Sequence, residues 1–534
     1  MALLTRHGRR NRIASSRKSW LAFSFFLVPL LALAQTPAPH ATEDRGTHEG
    51  DLELETASKN PLALRAFLYK MPKGADLHVH LTGAVYAETF IRDAIQDKLC
   101  VNTHTFAFER PQANYAGSSA PTCVAGDVPV ANSLHDPRLY NGMVDAFSMR
   151  SFVPSSGVSA HDHFFDAFAK FGGTDKSHFG EWLDEVATRA AAQNEQYLEL
   201  MYTPPFPHAS ALADKVSWND DFQQLRQSLL DGGIRDDIAS AQDTLAQGEA
   251  QRRQIEKCGA PDAEPACNVE IRFLYQVLRE APKERVFAQT LLGFEVATAD
   301  PQVVGINYVQ PEDGQKSMND YALQMQIVGY FHSAYPGVHI SLHAGELAFG
   351  LVPPAQLCCH VRLAVEQAHA ERIGHGVDIM YEDHPHELLK EMARQHVMVE
   401  INLSSNDVIL GVSGMDHPFP IYRQFGVPVA LSTDDEGVSR IDLTHEFVRA
   451  VETYNLKYSD LKQMVRASLE HSFLPGKSLW QTEDSFTKPA AACAIDKLGA
   501  DKPSAACAAF LKSSEKASQQ WELERRFKTF ESSF

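Results

Sequence analysis

Basic residues are in short supply in this chain of 534 residues: Lys and Arg number 49 against 68 Asp and Glu, a net charge of −19 at neutral pH. The first 34 residues hold six basic groups and no acidic one, so their removal would leave −25. A surface this negative repels phosphate backbones and anionic lipids, which excludes nucleic acid and membrane surfaces as expected partners and favours a small neutral or cationic ligand. Long apolar runs are nearly absent. Only Trp20–Ala34 (WLAFSFFLVPLLALA) stands out; it is interrupted by Pro29 and is short for a membrane span. Repeated C-x-x-C motifs are missing as well, which excludes a zinc ribbon. With 44% hydrophobic and 22% charged residues the composition is that of a globular protein, so general disorder is excluded.

What is present begins with an export pattern. A basic stretch (Arg6 to Lys18) precedes the apolar run, and Ala32-Leu33-Ala34 supplies the small residues of a cleavage site. Residues 1–34 therefore read as a signal peptide, and the mature protein as periplasmic or secreted, with no membrane attachment after cleavage. Arg9-Arg10 also permits a twin-arginine route. Residues 35–70 read as a polar leader and an N-terminal helix around Leu52–Tyr69. Six of the eight cysteines fall into close pairs, Cys100/Cys123, Cys258/Cys267 and Cys493/Cys507, expected to close surface loops as disulfides in an exported chain. The adjacent Cys358 and Cys359 are expected free or buried rather than bonded to each other.

From residue 71 to 476, short apolar runs alternate with longer helical stretches. The eight runs are Asp76–Leu81, Gln196–Tyr202, Val269–Tyr275, Val303–Tyr308, Val338–Leu342, Arg372–Gly374, Val397–Ile401 and Pro428–Leu431. Eight strands with intervening helices predict an α/β fold, a (β/α)8 TIM barrel, with insertions near residues 93–159 and 204–268 and a helical tail over 477–534. The strands run out into polar residues: His78 and His80, Glu199, Asn307, His343, His375, Asn402, Asp434 and Asp435. That is the end where such a barrel carries its active site.

Alternate residues of a strand face the same way, so His78 and His80 can reach one metal ion. His343-Ala344-Gly345-Glu346, Gly374-His375-Gly376 and Thr433-Asp434-Asp435 end later strands. Three neutral imidazoles and one carboxylate, His78, His80, His343 and Asp434, would hold Zn2+, one per chain, and leave room for an activated water. Glu346 would then stand beside that water as a proton shuttle, His375 would orient the water or stabilise hydroxide, and Asp435, diverging from Asp434, would face substrate. A binuclear site is the rival arrangement; barrels of that type bridge two metals with a lysine at the end of the fourth strand, and here no lysine follows until Lys316. One metal is therefore favoured.

The chain resembles the adenosine deaminase family of metal-dependent amidohydrolases, and more closely its secreted, growth-factor-like branch. The resemblance is carried by MPKGADLHVHLTGA (Met71–Ala84), HDHFFDAF (His161–Phe168), YLELMYTP (Tyr197–Pro204), VVGIN (Val303–Asn307), SLHAGE (Ser341–Glu346), RIGHGVD (Arg372–Asp378), EINLSSN (Glu400–Asn406), STDDEG (Ser432–Gly437) and LEHSFL (Leu469–Leu474). It implies hydrolysis of the 6-amino group of adenosine or deoxyadenosine to give inosine and ammonia. His78, His80, His343 and Asp434 would be the zinc ligands, Glu346 the acid that protonates the purine ring, His375 a group that helps deprotonate the zinc water, and Asp435 a hydrogen-bonding partner of the other ring and the incoming hydroxyl. Thr82, Gly83, Gln310 and Asp435 would touch the nucleoside. Departures fall in the pocket: Thr82 stands where the family commonly has an Asp that contacts ribose, Gln310 where it has Gly, Met201 where it often has Arg, and Glu436 where it commonly has Pro. Two alternatives stay open, a related aminohydrolase acting on another 6-aminopurine or modified base, and a non-catalytic extracellular binding or signalling protein on the same barrel. The sequence bears no mark of a particular oligomeric state.

Overall fold

The computed structural model describes residues 45–112, 122–155 and 157–534; the expected signal peptide and most of the leader lie outside the described residues. The N-terminal helix begins already at Arg45 and runs to Ala57, because Gly50 and Leu54 are buried and a Cβ at Gly50 would run into the Tyr458 ring. A second helix, Pro61–Lys70, is started by Asn60, whose side chain accepts from the N–H groups of Leu62 and Ala63, with Pro61 at a position that has no N–H to satisfy.

All eight expected strands are present: β1 (Gly74–His80), β2 (Glu195–Tyr202), β3 (Glu270–Leu278), β4 (Val303–Val309), β5 (His339–Ala344), β6 (Arg372–His375), β7 (Met398–Ile401) and β8 (Val429–Leu431). They hydrogen-bond in chain order and pair in parallel. The sheet closes at its polar end, where the Asp434 N–H donates to His78 O at 2.9 Å and the His80 N–H to Asp434 O at 3.0 Å. Helices cover the outside, so the strands are buried on both faces; every residue of β2 is buried, which is why these runs are apolar throughout rather than alternating. The fold is a (β/α)8 barrel.

The stretch after β1 carries a three-stranded antiparallel sheet (Cys100–Asn102, Phe108–Glu109, Asp127–Pro129) and the helix Pro137–Ala146. The stretch after β2 folds as three helices, of which Asp236–Ile255 packs between Asp175–Ala192 and Lys283–Ala299 on the barrel wall. Toward the C-terminus, Leu479, Trp480, Cys493, Cys507, Ala517 and Trp521 form a small apolar cluster of their own. The last helix, Glu515–Glu531, starts at Ser514, whose hydroxyl accepts from the Ala517 N–H. The three expected disulfides are formed. Cys358 and Cys359, expected free, are instead bonded to each other. With the other six cysteines committed in local pairs, each has only its neighbour as a thiol within reach.

Charge is buried at the centre of the barrel. Arg372, fully enclosed, lies 2.6 Å from both Glu199 and Glu400, donates to His471 O at 3.0 Å, and sits 3.8 Å over the Phe473 ring. Removing one partner of a buried ion pair strands the others, at a cost of about 3–5 kcal/mol. Arg372→Met should lower the free energy of unfolding by roughly that much in urea titrations; an unchanged midpoint and slope would show that the two carboxylates do not need the guanidinium.

Candidate metal and active site

The strand pattern puts His78 and His80 on the interior face of β1, with Val79 between them bridging to Asp434 at the seam. His343 arrives from β5. Its Nε2 lies 3.1 Å from His78 Nε2 and 3.1 Å from His80 Nε2, and Asp434 Oδ1 lies 3.5 and 3.3 Å from the same two histidine nitrogens. Ligands bound to zinc at about 2.0–2.1 Å in a tetrahedron stand about 3.3 Å apart, so these four atoms fit one ion.

Hydrogen bonds behind the rings decide which atoms face that point. His78 Nδ1 donates to Glu400 Oε2 at 2.6 Å and His80 Nδ1 to Gln276 Oε1 at 3.0 Å. His343 Nδ1 donates at 2.8 Å to Asn307 Oδ1, which also accepts the His343 backbone N–H. With the proton held at Nδ1, each Nε2 offers a lone pair, and a carboxylate oxygen joins them. Four converging electron pairs repel unless a cation holds them, and acceptors behind metal-binding imidazoles are what orient such rings. Burial and then the neighbouring imidazoles push His343 well below the usual histidine range; at His78 burial is outweighed by the hydrogen bonds to Asp434 and Glu400, which raise it to about 10, so a metal ion at this point takes the place of a proton on Nε2.

The remaining expected residues surround this point. Glu346 follows β5 on a loop pinned from beneath: the N–H groups of Gly345 and Glu346 each donate to Glu312 at 2.9 Å. Burial opposes the Glu312 carboxylate, but the hydrogen bond and charge of His360 bring it down to about 2. Glu346 itself is pushed well above the ordinary carboxylate range by burial and then by the charges of Asp434 and Glu312, so it carries a proton. Asp435 is raised too, by burial and by Asp434 beside it. His375 is fully buried, with Nε2 3.9 Å from Asp434 Oδ2 and Nδ1 3.7 Å from Glu346 Oε1; burial takes it down to about 3, so the ring is neutral. Its glycine neighbours let other groups close in on either side, since a Cβ on Gly374 would collide with the His78 ring and one on Gly376 with the Tyr422 hydroxyl.

Thr82 and Gln310 line the cavity above, whereas Gly83 packs beneath Asp435, whose carboxylate occupies the space a Cβ would need. Gln310 adopts a left-handed backbone (φ 86°) and turns its side chain away, accepting the Glu280 N–H. Met201 lies buried with Leu274, Val309 and Phe473, and Glu436 pairs at 2.6 Å with Arg189, which also donates to Ala84 O. Lys316 is exposed on the helix Gln315–Ala334, away from the end of β4. The cavity is about 540 Å³. Phe90, Phe164, Phe165, Phe168, Phe171 and Trp182 form an aromatic wall, the ionised or ionisable acids are Glu346, Asp434 and Asp435, and no Lys or Arg lines it.

The adenosine deaminase family model matches residues 179–485, more than half of the sequence. The chain belongs to the adenosine deaminase family. It is 37% identical to an adenosine deaminase of Clostridium perfringens over 138 residues, 26% of this chain and 38% of that protein, so it matches little more than a third of the length of such curated relatives. It is 25% identical to the aminodeoxyfutalosine deaminase of Streptomyces coelicolor over 461 residues, covering 84% of this chain and 94% of that one. Among solved structures, the N6-methyl-AMP deaminase of Arabidopsis thaliana aligns with a TM-score of 0.49 at 20% identity, covering 77% of this chain and 94% of that one.

Within this member of the family, the residues that sequence reading missed are those behind the front row: Gln276, Glu312, His360 and the aromatic wall. Glu400 left a trace, an acid inside the apolar run Met398–Ile401. Outer partners of this kind are worth 10–100-fold in metal affinity. Gln276→Leu, which strips the acceptor from His80, should weaken binding of a divalent metal by about that factor in a chelator competition. An unaltered affinity would mean that the His80 tautomer needs no fixing.

Proposed function

We propose that this protein is an exported, zinc-dependent aminohydrolase that converts adenosine or deoxyadenosine to inosine or deoxyinosine and ammonia. The observation that carries the reading is the meeting of three imidazole Nε2 atoms and a carboxylate beside a buried glutamic acid that keeps its proton. His78, His80, His343 and Asp434 would hold the ion. When bound, zinc supplies Lewis acidity that makes hydroxide available near neutral pH.

Water adds to C6, the C–N bond breaks, and the nitrogen leaves as ammonia. Glu346 gives its proton to the ring nitrogen beside C6, which makes that carbon electrophilic. Asp435 hydrogen-bonds the far side of the purine and the entering oxygen, while Thr82 and Gln310 border the sugar and base. The aromatic wall supports a flat, uncharged ligand. A 5′-phosphate would meet carboxylates and no Lys or Arg side chain, so the nucleoside is favoured over the nucleotide. Export is supported by the N-terminal pattern together with the loop-closing disulfides.

Zinc-loaded protein should release ammonia from adenosine and deoxyadenosine, with kcat/KM for AMP lower by about 100-fold or more, roughly 2.7 kcal/mol. No turnover of any 6-aminopurine nucleoside would sink the reading. Because Glu346 must be protonated and its pKa is raised, kcat/KM should persist above the ordinary carboxylate range of about 4.3 and fall as pH rises through the raised value. Glu346→Gln should keep its zinc while kcat drops by about 10²–10⁴ and that alkaline limb disappears; a retained limb would assign the proton to another group.

A further inference from the structure

One polar chain in the barrel has no part in the chemistry above. It starts at the backbone N–H of Phe419, which can only donate, and does so to His417 Nδ1 at 3.1 Å. That nitrogen must therefore accept, so the neutral ring of His417 carries its proton on Nε2; burial keeps the ring neutral. His417 Nε2 donates at 3.0 Å to Asn406 Oδ1, which fixes the orientation of the amide. The amide nitrogen of Asn406 then donates at 2.9 Å to His375 Nδ1, and the Asn402 amide nitrogen lies 3.4 Å from the same atom. His375 Nδ1 is an acceptor, so the proton of this ring sits on Nε2. That atom has no hydrogen-bond partner among the described residues and points toward Asp434 Oδ2, 3.9 Å away.

The contrast with the other three rings is complete. His78, His80 and His343 meet acceptors at Nδ1 and turn lone pairs inward, whereas His375 meets donors at Nδ1 and turns an N–H inward. We propose that Asn406 and His417 are positioning residues that lock His375 in its Nε2–H form, so that it serves the reacting oxygen as a hydrogen-bond donor and not as a base. The consequence for turnover rests on the aminohydrolase reading; the proton position does not.

Joint neutron and X-ray diffraction of the zinc-loaded protein in D2O reads the proton position directly. Deuterium is expected on His375 Nε2 and on Nδ1 of His78, His80 and His343; deuterium on His375 Nδ1 overturns the proposal, whatever substrate the protein takes. Asn406→Asp keeps an acceptor for His417 but replaces the donor to His375 by a second acceptor. It should move the deuterium to Nδ1 and, with zinc content unchanged, lower kcat about 100-fold or more, the usual cost of losing one donor to a developing oxyanion, with KM shifted less than threefold. Wild-type kcat in a variant whose proton has moved overturns the donor role. His417→Leu frees the amide to rotate and should give both tautomers with a smaller loss; if Asn406→Asp does not fold, a single Nε2–H form in His417→Leu overturns the relay. Failure of every purine nucleoside to react, with the deuterium found on Nε2, would count against the proposed function alone.

Discussion

A carboxylate sealed inside a barrel must be compensated, and here one carboxylate, Glu400, links the fold to the site. It takes Arg372 on one oxygen and His78 on the other, each at 2.6 Å, and accepts from Ser341 at 3.1 Å as well. Burial alone would raise its pKa, but Arg372 and then His78 bring it below the ordinary range, so the acceptor behind His78 stays ionised. An ionised acceptor makes the Nδ1 bond strong and the Nε2 lone pair more basic. The same guanidinium balances Glu199, which is also held by the Tyr197 hydroxyl and the Phe473 N–H, at 2.9 and 2.6 Å. The ion pairs that span the barrel interior are thus the ones that prepare a metal-facing ring at its mouth.

Backbone geometry does similar work on the opposite side. Asp434 and His375 both hold left-handed conformations, φ 61° and 71°, which cost residues other than glycine about 1–3 kcal/mol each. Asp434 is kept there because its own N–H and C=O close the seam between β8 and β1. Its side-chain direction is therefore set by barrel closure, and Ser405, donating to Oδ2 at 2.6 Å, leaves Oδ1 for the histidines. Next to His375 the backbone is held by Tyr422, which donates to Gly376 O at 2.6 Å.

The barrel was legible because strands covered on both faces are runs of apolar residues, and because most of the runs lead into His, Asp, Asn or Glu. β3 extends three residues beyond its expected end, and the reason is instructive: Gln276 reads as a polar stop, yet it is a strand residue whose amide is spent on His80 and Thr203. The side chains that converge at the mouth, His78, His80, His343 and Asp434, were legible from His and Asp at strand ends. Their partners were not, since Gln, Asn and Glu occur everywhere and only the closed topology reveals that Glu400, 322 residues distant, stands behind His78. The N-terminal helix was placed late because Arg45–Asp51 is polar in sequence; what orders it is the contact of Gly50 with Tyr458 and of Asp51 with Ser459.

Four imidazoles around one point cannot all face it in the same way. Three lone pairs suit a cation; a fourth would compete for its open position, and an inward N–H there is instead complementary to an oxygen that carries negative charge. The protein separates the two kinds by what stands behind each ring, oxygen acceptors for the first three and an amide N–H for the last. Neither kind is set by the histidine itself. The distinction is carried from a single backbone N–H at Phe419, through two side chains, to the ring, so the fold of a loop after β7 decides which nitrogen of His375 bears its proton.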